Sequence, residues 1–187
     1  VIDQTKDGPR RSIQIFDRDG AAVHKIYQKP QTNSDAFDRL IERWTATQQD
    51  AFIEVEPLVV PRDEISDSDV DVKDLRDSWL SMKDTHEFFG RLKKLKLGRL
   101  QALRHAGRDL ANQVQIQSLP LALELARDSE TPIMVFVGNP GCIQIHSGTV
   151  SNLKRMGPWF NVLDSDFNLH LREDAIDTAW VVRKPTS

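Results

Sequence analysis

The sequence predicts an α+β fold, a mostly antiparallel β-sheet with a cluster of helices packed on it, and three patterns carry that reading. Alternating apolar and polar runs bracket Asp17-Arg18-Asp19-Gly20. Apolar residues recur at helical spacing through the middle of the chain, and after Glu130 short alternating runs are separated by turn residues.

Taken in order, Ser12 to Phe16 and Ala21 to Tyr27 alternate on either side of the first turn and read as a hairpin. From Ser34 as N-cap, Phe37, Leu40, Ile41 and Trp44 follow helical spacing, predicting an amphipathic helix of about four turns. Ala51 to Val60 is extended and ends at Pro61; the acidic stretch Arg62 to Asp77 reads as a linker running into a helix. Two helical segments follow, roughly Thr85 to Lys96 and Arg99 to Leu110, parted at Gly98, and a third begins near Ser118 with Pro120 in its first turn. The last third predicts an antiparallel meander: Ile133 to Val137, a turn at Asn139-Pro140-Gly141, Cys142 to His146, Trp159 to Leu163, Phe167 to Leu171 and Thr178 to Arg183.

At 187 residues and 39% hydrophobic content, the chain can bury one good core, and one or two domains fit that length. The 25 basic and 28 acidic side chains give a net charge of -3, which argues against a polyanion binder and excludes nucleic acid as the expected partner. Cys142 is the single cysteine, so neither an internal disulfide nor a thiolate metal cluster can form, and the cytoplasm is the expected compartment. No apolar run approaches the roughly 20 residues of a membrane span. The chain opens on Val1, and Val1 to Arg11 lacks the basic-then-apolar order of a signal peptide, so the start reads as a cut.

The strongest candidate site lies at Asp84-Thr85-His86-Glu87, which has the form of a capping box with Asp84 as N-cap and Glu87 reaching back. His86 then sits in the first turn, where backbone donors disfavour an imidazolium and leave the neutral ring a metal needs. Phe89 and Lys93 share its face, and Phe88, Leu92 and Leu95 form a neighbouring apolar stripe. Arg91, Lys93, Lys94, Lys96, Arg99, Arg104 and Arg108 make the region basic. A porphyrin requires this mixture of an iron ligand, flat apolar contacts and cations for two propionates. A single histidine at a helix start also serves as a surface or capping residue, and a basic amphipathic helix as a solvated face; the residues alone leave both readings open.

The remaining candidates read as structural. His24, His146 and His170 fall in predicted strands and His105 in a helix, and no two stand at zinc-site spacing. His146 follows Gln144 on one strand face and is read as packing, and Cys142 as a partly buried thiol. Gly138-Asn139-Pro140-Gly141 lacks the Lys-Ser/Thr ending of a phosphate loop and reads as a turn. Asp164, Asp166, Glu173 and Asp174 sit in polar turn sequences and are assigned no chemistry.

Longer motifs then carry a family resemblance. Gly141-Cys142-Ile143-Gln144-Ile145-His146-Ser147-Gly148, Met156-Gly157-Pro158-Trp159-Phe160-Asn161-Val162-Leu163-Asp164, Phe167-Asn168-Leu169-His170-Leu171-Arg172-Glu173 and Ala179-Trp180-Val181-Val182-Arg183-Lys184-Pro185-Thr186 closely resemble the hemin-degrading factors of the HemS/ChuS/PhuS type. So do Arg11-Ser12-Ile13-Gln14-Ile15-Phe16-Asp17, Ala22-Val23-His24-Lys25-Ile26-Tyr27 and Asp84-Thr85-His86-Glu87-Phe88-Phe89.

The resemblance implies a cytoplasmic protein of a bacterial haem-uptake system, built from two similar halves with haem between them. By it, this chain looks like a central fragment. Residues 1–28 would be the closing hairpin of a preceding repeat, 29–72 a helix and acidic linker, and 73–187 a haem-binding repeat with helices over 73–130 and antiparallel strands over 131–187. His86 matches the proximal haem ligand, and so the catalytic and metal-binding position. Arg99, in Leu97-Gly98-Arg99-Leu100-Gln101-Ala102, and Lys184 resemble residues near the propionates; Met134, Phe136 and Val182 would contribute apolar wall. The family's distal arginine belongs to the first half and further propionate contacts to the closing segment.

The implied ligand is iron-protoporphyrin IX, and the implied activity is oxidative haem degradation with electrons from an outside donor. The rival is a haem chaperone that delivers to a separate oxygenase or transporter. A haem-import transporter is the other expected partner, and open sheet edges would invite homodimerisation or domain exchange.

Overall fold

The chain is described by a computed structural model that covers residues 1–6, 8–50, 52–57 and 64–185. The predicted extended stretch Ala51–Val60 and its end at Pro61 lie outside the described residues at 51 and 58–63, as does Thr186 of the last family motif. The class is the expected α+β, and the residues group into two units, 1–60 with 135–145 and 61–134 with 146–187.

In the first unit, β1 (Ile2–Thr5), β2 (Gly8–Phe16) and β3 (Ala22–Tyr27) form an antiparallel sheet in that order. The predicted hairpin is β2–β3, closed by Asp17 N–H on Ala21 O at 2.8 Å. Strand β1 was not predicted. Helix α1 (Ser34–Trp44) follows, with Asn33 rather than Ser34 as N-cap: its Oδ1 accepts the Ala36 N–H at 2.9 Å. Phe37 is its buried residue, with the Arg11 guanidinium 5.1 Å above the ring.

The second unit begins with α2 (Val72–Leu80), capped by Asp71, whose Oδ1 accepts the Asp74 N–H at 2.9 Å. Helix α3 (Glu87–Leu95) starts two residues after the expected Thr85 and stops one before the expected Lys96. Lys96 takes the left-handed conformation (φ 58°), and Lys96 and Leu97 return their N–H groups to Lys93 O and Leu92 O, closing a Schellman stop. Gly98 instead caps the start of α4 (Arg99–His105) in extended backbone, where a Cβ would come within 3.1 Å of Glu64 Oε1. Helix α4 ends at His105, short of the predicted Leu110, because the chain turns at Gly107 (φ 93°) into an unpredicted strand, β4 (Ala111–Val114).

Helix α5 (Ser118–Asp128) starts where Pro120 indicated. The expected single meander is replaced by three separate sheets. Strand β5 (Ile133–Gly138) pairs with β6 (Ile143–Gly148) across the Asn139 turn. Strands β7 (Leu153–Met156), β8 (Trp159–Leu163) and β9 (Asn168–Arg172) form the meander proper, β7 being unpredicted. Strand β10 (Ala179–Val182) leaves that sheet to pair with β4 in antiparallel register, Ala179 opposite Val114 and Val182 opposite Ala111.

The main core gathers α2, α3, α4 and β4: Leu75, Trp79, Met82, Phe88, Leu92, Ala102, Leu103, Ala106, Leu110 and Ala111 are buried together, with Trp180 and Val182 packed against them. Trp79 Nε1–H donates to Arg183 O at 2.9 Å, tying α2 to the segment that leaves β10. Among the described residues no helix is long and apolar enough to cross a membrane.

Two glycines should respond oppositely to alanine. At Gly107 the φ is left-handed and a Cβ would meet Arg76 Nη1 at 2.5 Å, against the Arg76–Asp109 ion pair. Gly107→Ala should therefore cost about 1–3 kcal/mol. Gly90 lies inside α3 with nothing within 4 Å of a built Cβ. Gly90→Ala should add about 0.5–1 kcal/mol through helix propensity. Urea midpoints of the two variants check both signs.

Candidate functional site

Helix α3 sets the site through which of its residues it buries. Phe88 and Leu92 turn into the core, so Phe89, one residue on, turns out and is 59% exposed. Phe88 meets Trp79 edge to face at 4.7 Å between centroids and Phe89 at 5.7 Å. Over these rings sit two cations. Lys184 Nζ lies 4.5 Å from the Phe88 centroid and 5.9 Å from that of Phe89, and the Arg99 guanidinium 5.6 Å from Phe89. Burial, and then the Arg99 charge, push the Lys184 ammonium below the usual lysine range. Among the described residues, neither Arg99 nor Lys184 belongs to an ion pair, whereas Arg91 and Arg104 of the same basic stretch are spent on Glu87 and Glu64.

His86 stands immediately before α3, with helical backbone angles, rather than inside the first turn. Its side chain is 92% exposed, yet its direction is set: Nδ1 lies 2.6 Å from Asp84 Oδ1, which also accepts the His86 backbone N–H at 2.8 Å. These bonds, the backbone one first, hold the Asp84 carboxyl below the usual aspartate range. A carboxylate accepts, so Nδ1 carries a proton and Nε2 is the nitrogen left for a ligand, with its lone pair available in the neutral ring.

The Glu87 half of the predicted capping box is present, whereas His86 rather than Asp84 holds the N-cap position and the Asp84 side chain accepts from His86. Glu87 Oε1 accepts the Asp84 N–H at 3.1 Å and the Lys83 N–H at 3.3 Å. Glu87 is in turn gripped by Arg91 through Nε, at 2.9 Å, and Nη2. Arg91 also donates to Ser78 O at 2.7 Å and Ser81 Oγ at 2.9 Å, bonding the last turn of α2. Sequence reading treated Arg91 as one more free cation; the Glu87/Arg91 spacing of four was the signal for the pair.

The other expected residues divide. Val182 packs against the core that holds Phe88. Met134 and Phe136 alternate along β5, 58% and 59% exposed, Phe136 in the first unit, and the ring and charge contacts of the cluster involve neither Met134 nor Val182. His146 stacks on Phe167 at 3.8 Å and 6°, and Cys142 is partly buried with Sγ 3.4 Å from Val23 O, both as read. The turn at Asn139 is closed by its own Oδ1, and Asp164 staples Ser151 and Asn152.

An outward imidazole nitrogen, an exposed aromatic face and two cations without carboxylate partners form the donor set that an iron-porphyrin with two propionates takes. Among the described residues no group of three or more His, Cys, Asp or Glu could hold a bare metal ion.

Comparisons with known proteins agree with this chemistry. The haemin-degrading HemS.ChuX domain family matches residues 1–44 and 96–187. The hemin transport protein HmuS of Yersinia pestis is 40% identical over 186 residues, which is 100% of this chain and 53% of the relative. Holo-PhuS, a heme-binding protein from Pseudomonas aeruginosa, superposes with a TM-score of 0.93 at 44% identity, over 100% of this chain and 54% of that one. ChuS, an Escherichia coli heme oxygenase, does so with a TM-score of 0.82 at 38% identity, over 100% and 54%. The chain thus spans about half the length of the curated relatives it matches.

The Glu87–Arg91 clasp has a pH signature. Arg91 holds the Glu87 carboxyl below the usual glutamate range, so the stability it adds is complete above the ordinary value of about 4.3 and is lost as pH falls through the lower, folded value. The stability gap between the native chain and Glu87→Gln should be full at pH 7 and close below about pH 4. Denaturation curves at pH 7, 5 and 3.5 measure it; a gap independent of pH contradicts the clasp.

Proposed function

Because the chain belongs to the haemin-degrading HemS.ChuX domain family, we propose that it binds iron-protoporphyrin IX through His86 and, within the complete protein, serves oxidative haem degradation that releases iron. One observation carries the reading: two cations, one half-buried, stand over an aromatic face with no ion-pair partner among the described residues, and the turn leading into the same helix carries an exposed imidazole. An anionic, flat, iron-bearing ligand supplies what each of these groups lacks.

When bound, haem supplies the oxygen and electron chemistry. The chain's own residues bind and orient it. His86 presents Nε2 to the metal, and Asp84 keeps the ring proton on Nδ1. Phe89 offers a flat face, while Phe88, locked in the core, backs it and carries Lys184. Arg99 and Lys184 receive the propionates, and a carboxylate there favours the charged form of Lys184 against the burial that disfavours it. Met134, Phe136 and Val182 are proposed as apolar wall. Residues 1–28 are proposed as the closing hairpin of one repeat and 73–187 as most of the next, with the cytoplasm as the compartment. A haem-import transporter and an electron donor are the proposed partners, and copies of the chain are proposed to associate through open sheet edges as a homodimer or by domain exchange.

The name of the Yersinia relative, a hemin transport protein, favours a second reading: a carrier that hands haem to a separate oxygenase or transporter. Haem-loaded full-length protein given a reductant and oxygen separates the two. Degradation predicts decay of the Soret band with tetrapyrrole product, and a carrier leaves the band intact.

For binding itself, hemin titration should show a histidine-ligated spectrum that His86→Ala loses. Affinity should drop by at least the roughly 10–100-fold that losing a mere supporting residue costs a metal site. Arg99→Ala and Lys184→Ala should keep the ligation and each weaken binding about tenfold, the worth of one charged hydrogen bond. Identical titrations for His86→Ala and the native chain contradict the reading.

A further inference from the structure

We propose that Asp84 is the positioning residue of the haem ligand: its carboxylate fixes which nitrogen of His86 meets iron and strengthens that nitrogen as a donor. The inference rests on the reading of His86 as ligand and goes beyond it. An imidazole that is 92% exposed has no packing to hold its ring, so its orientation must come from hydrogen bonds. The Asp84 carboxylate supplies them with a single oxygen, which accepts Nδ1–H at 2.6 Å and the His86 backbone N–H at 2.8 Å, fixing ring and backbone together.

That carboxylate is itself held. Glu87 accepts the N–H groups of Lys83 and Asp84, Arg91 grips Glu87, and the same guanidinium bonds Ser78 O and Ser81 Oγ at the end of α2. A surface turn is thereby connected to a helix whose Leu75 and Trp79 lie in the core. The consequence is chemical as well as geometric. A carboxylate accepting Nδ1–H fixes the tautomer with the lone pair on Nε2 and moves electron density toward it, so a metal on Nε2 is held more firmly. A neutral acceptor in the same place does less.

Asp84→Asn separates this role from helix capping, because asparagine keeps an oxygen for the His86 N–H and caps as well as aspartate. The measurements are the Fe–His stretching frequency of the reduced complex by resonance Raman, and the rate at which apomyoglobin strips haem from the protein. Asp84→Asn should unfold at the native urea midpoint, show a lower Fe–His frequency, and lose haem roughly 10-fold faster or more. A native frequency and a native rate overturn the proposal. With those values, a His86→Ala variant that loses the Fe–His band leaves His86 as ligand and removes Asp84 alone, whereas His86→Ala indistinguishable from native removes both.

A second test does not depend on how Asp84→Asn folds. In His86→Gly, added imidazole can offer Asp84 an N–H, and 1-methylimidazole cannot. With Asp84 in place, the imidazole complex should show the higher Fe–N frequency by more than the two ligands differ on free haem. Equal differences in and out of the protein overturn the proposal.

Discussion

The burial of Phe88 is the constraint on which the rest of the site depends. Its ring is 2% exposed and edge-on to Trp79, and that fixes the rotation of α3 about its axis. With the rotation fixed, Phe89 faces out, and the turn before the helix carries His86. The same ring receives Lys184 on its face, and Trp79 bonds the backbone of Arg183 next to it. One aromatic contact therefore sets where the exposed phenyl and the lysine stand. The rings and the lysine are thus held by the core, while the imidazole stands on a surface turn fixed by hydrogen bonds.

Charge bookkeeping explains why this face suits an anion although the chain carries a net charge of -3. The acidic stretch before α2 is consumed locally. Glu64 pairs with Arg104, and Asp67 lies near Arg104 and His105 while accepting from buried Gln101. Glu87 is consumed by Arg91. What remains over Phe89 is Arg99 and Lys184, both positive and mutually repelling. Net charge is silent on this; the local pairing decides it.

Much of this was legible in the sequence where the signal was local. Helix α1, helix α5 and strand β8 carry periodicity, caps or proline within their own residues and appear where they were expected. The Glu87 half of the capping box, its carboxylate on the Asp84 N–H, was likewise readable, because the two residues are three apart. The misses share one cause. Ala111–Val114 has no alternation of its own and becomes a strand only because β10 pairs with it from the far end of the chain. The approach of Lys184 to Phe88 was equally invisible, being a tertiary contact, although the family resemblance had marked Lys184. The parting at Gly98 was legible, but not the part the glycine plays in it. A glycine after a helix suggests a left-handed stop, but here Lys96 accepts that conformation and the glycine makes room for Glu64.

The central claim is that haem iron meets Nε2 of His86 with the propionates toward Arg99 and Lys184. A crystal structure of the chain grown with hemin tests it most directly. The account predicts iron bonded to that nitrogen, Asp84 still on Nδ1, and carboxylates over the Phe89 face. Iron on His24, His105, His146 or His170, or propionates directed away from both cations, would contradict it.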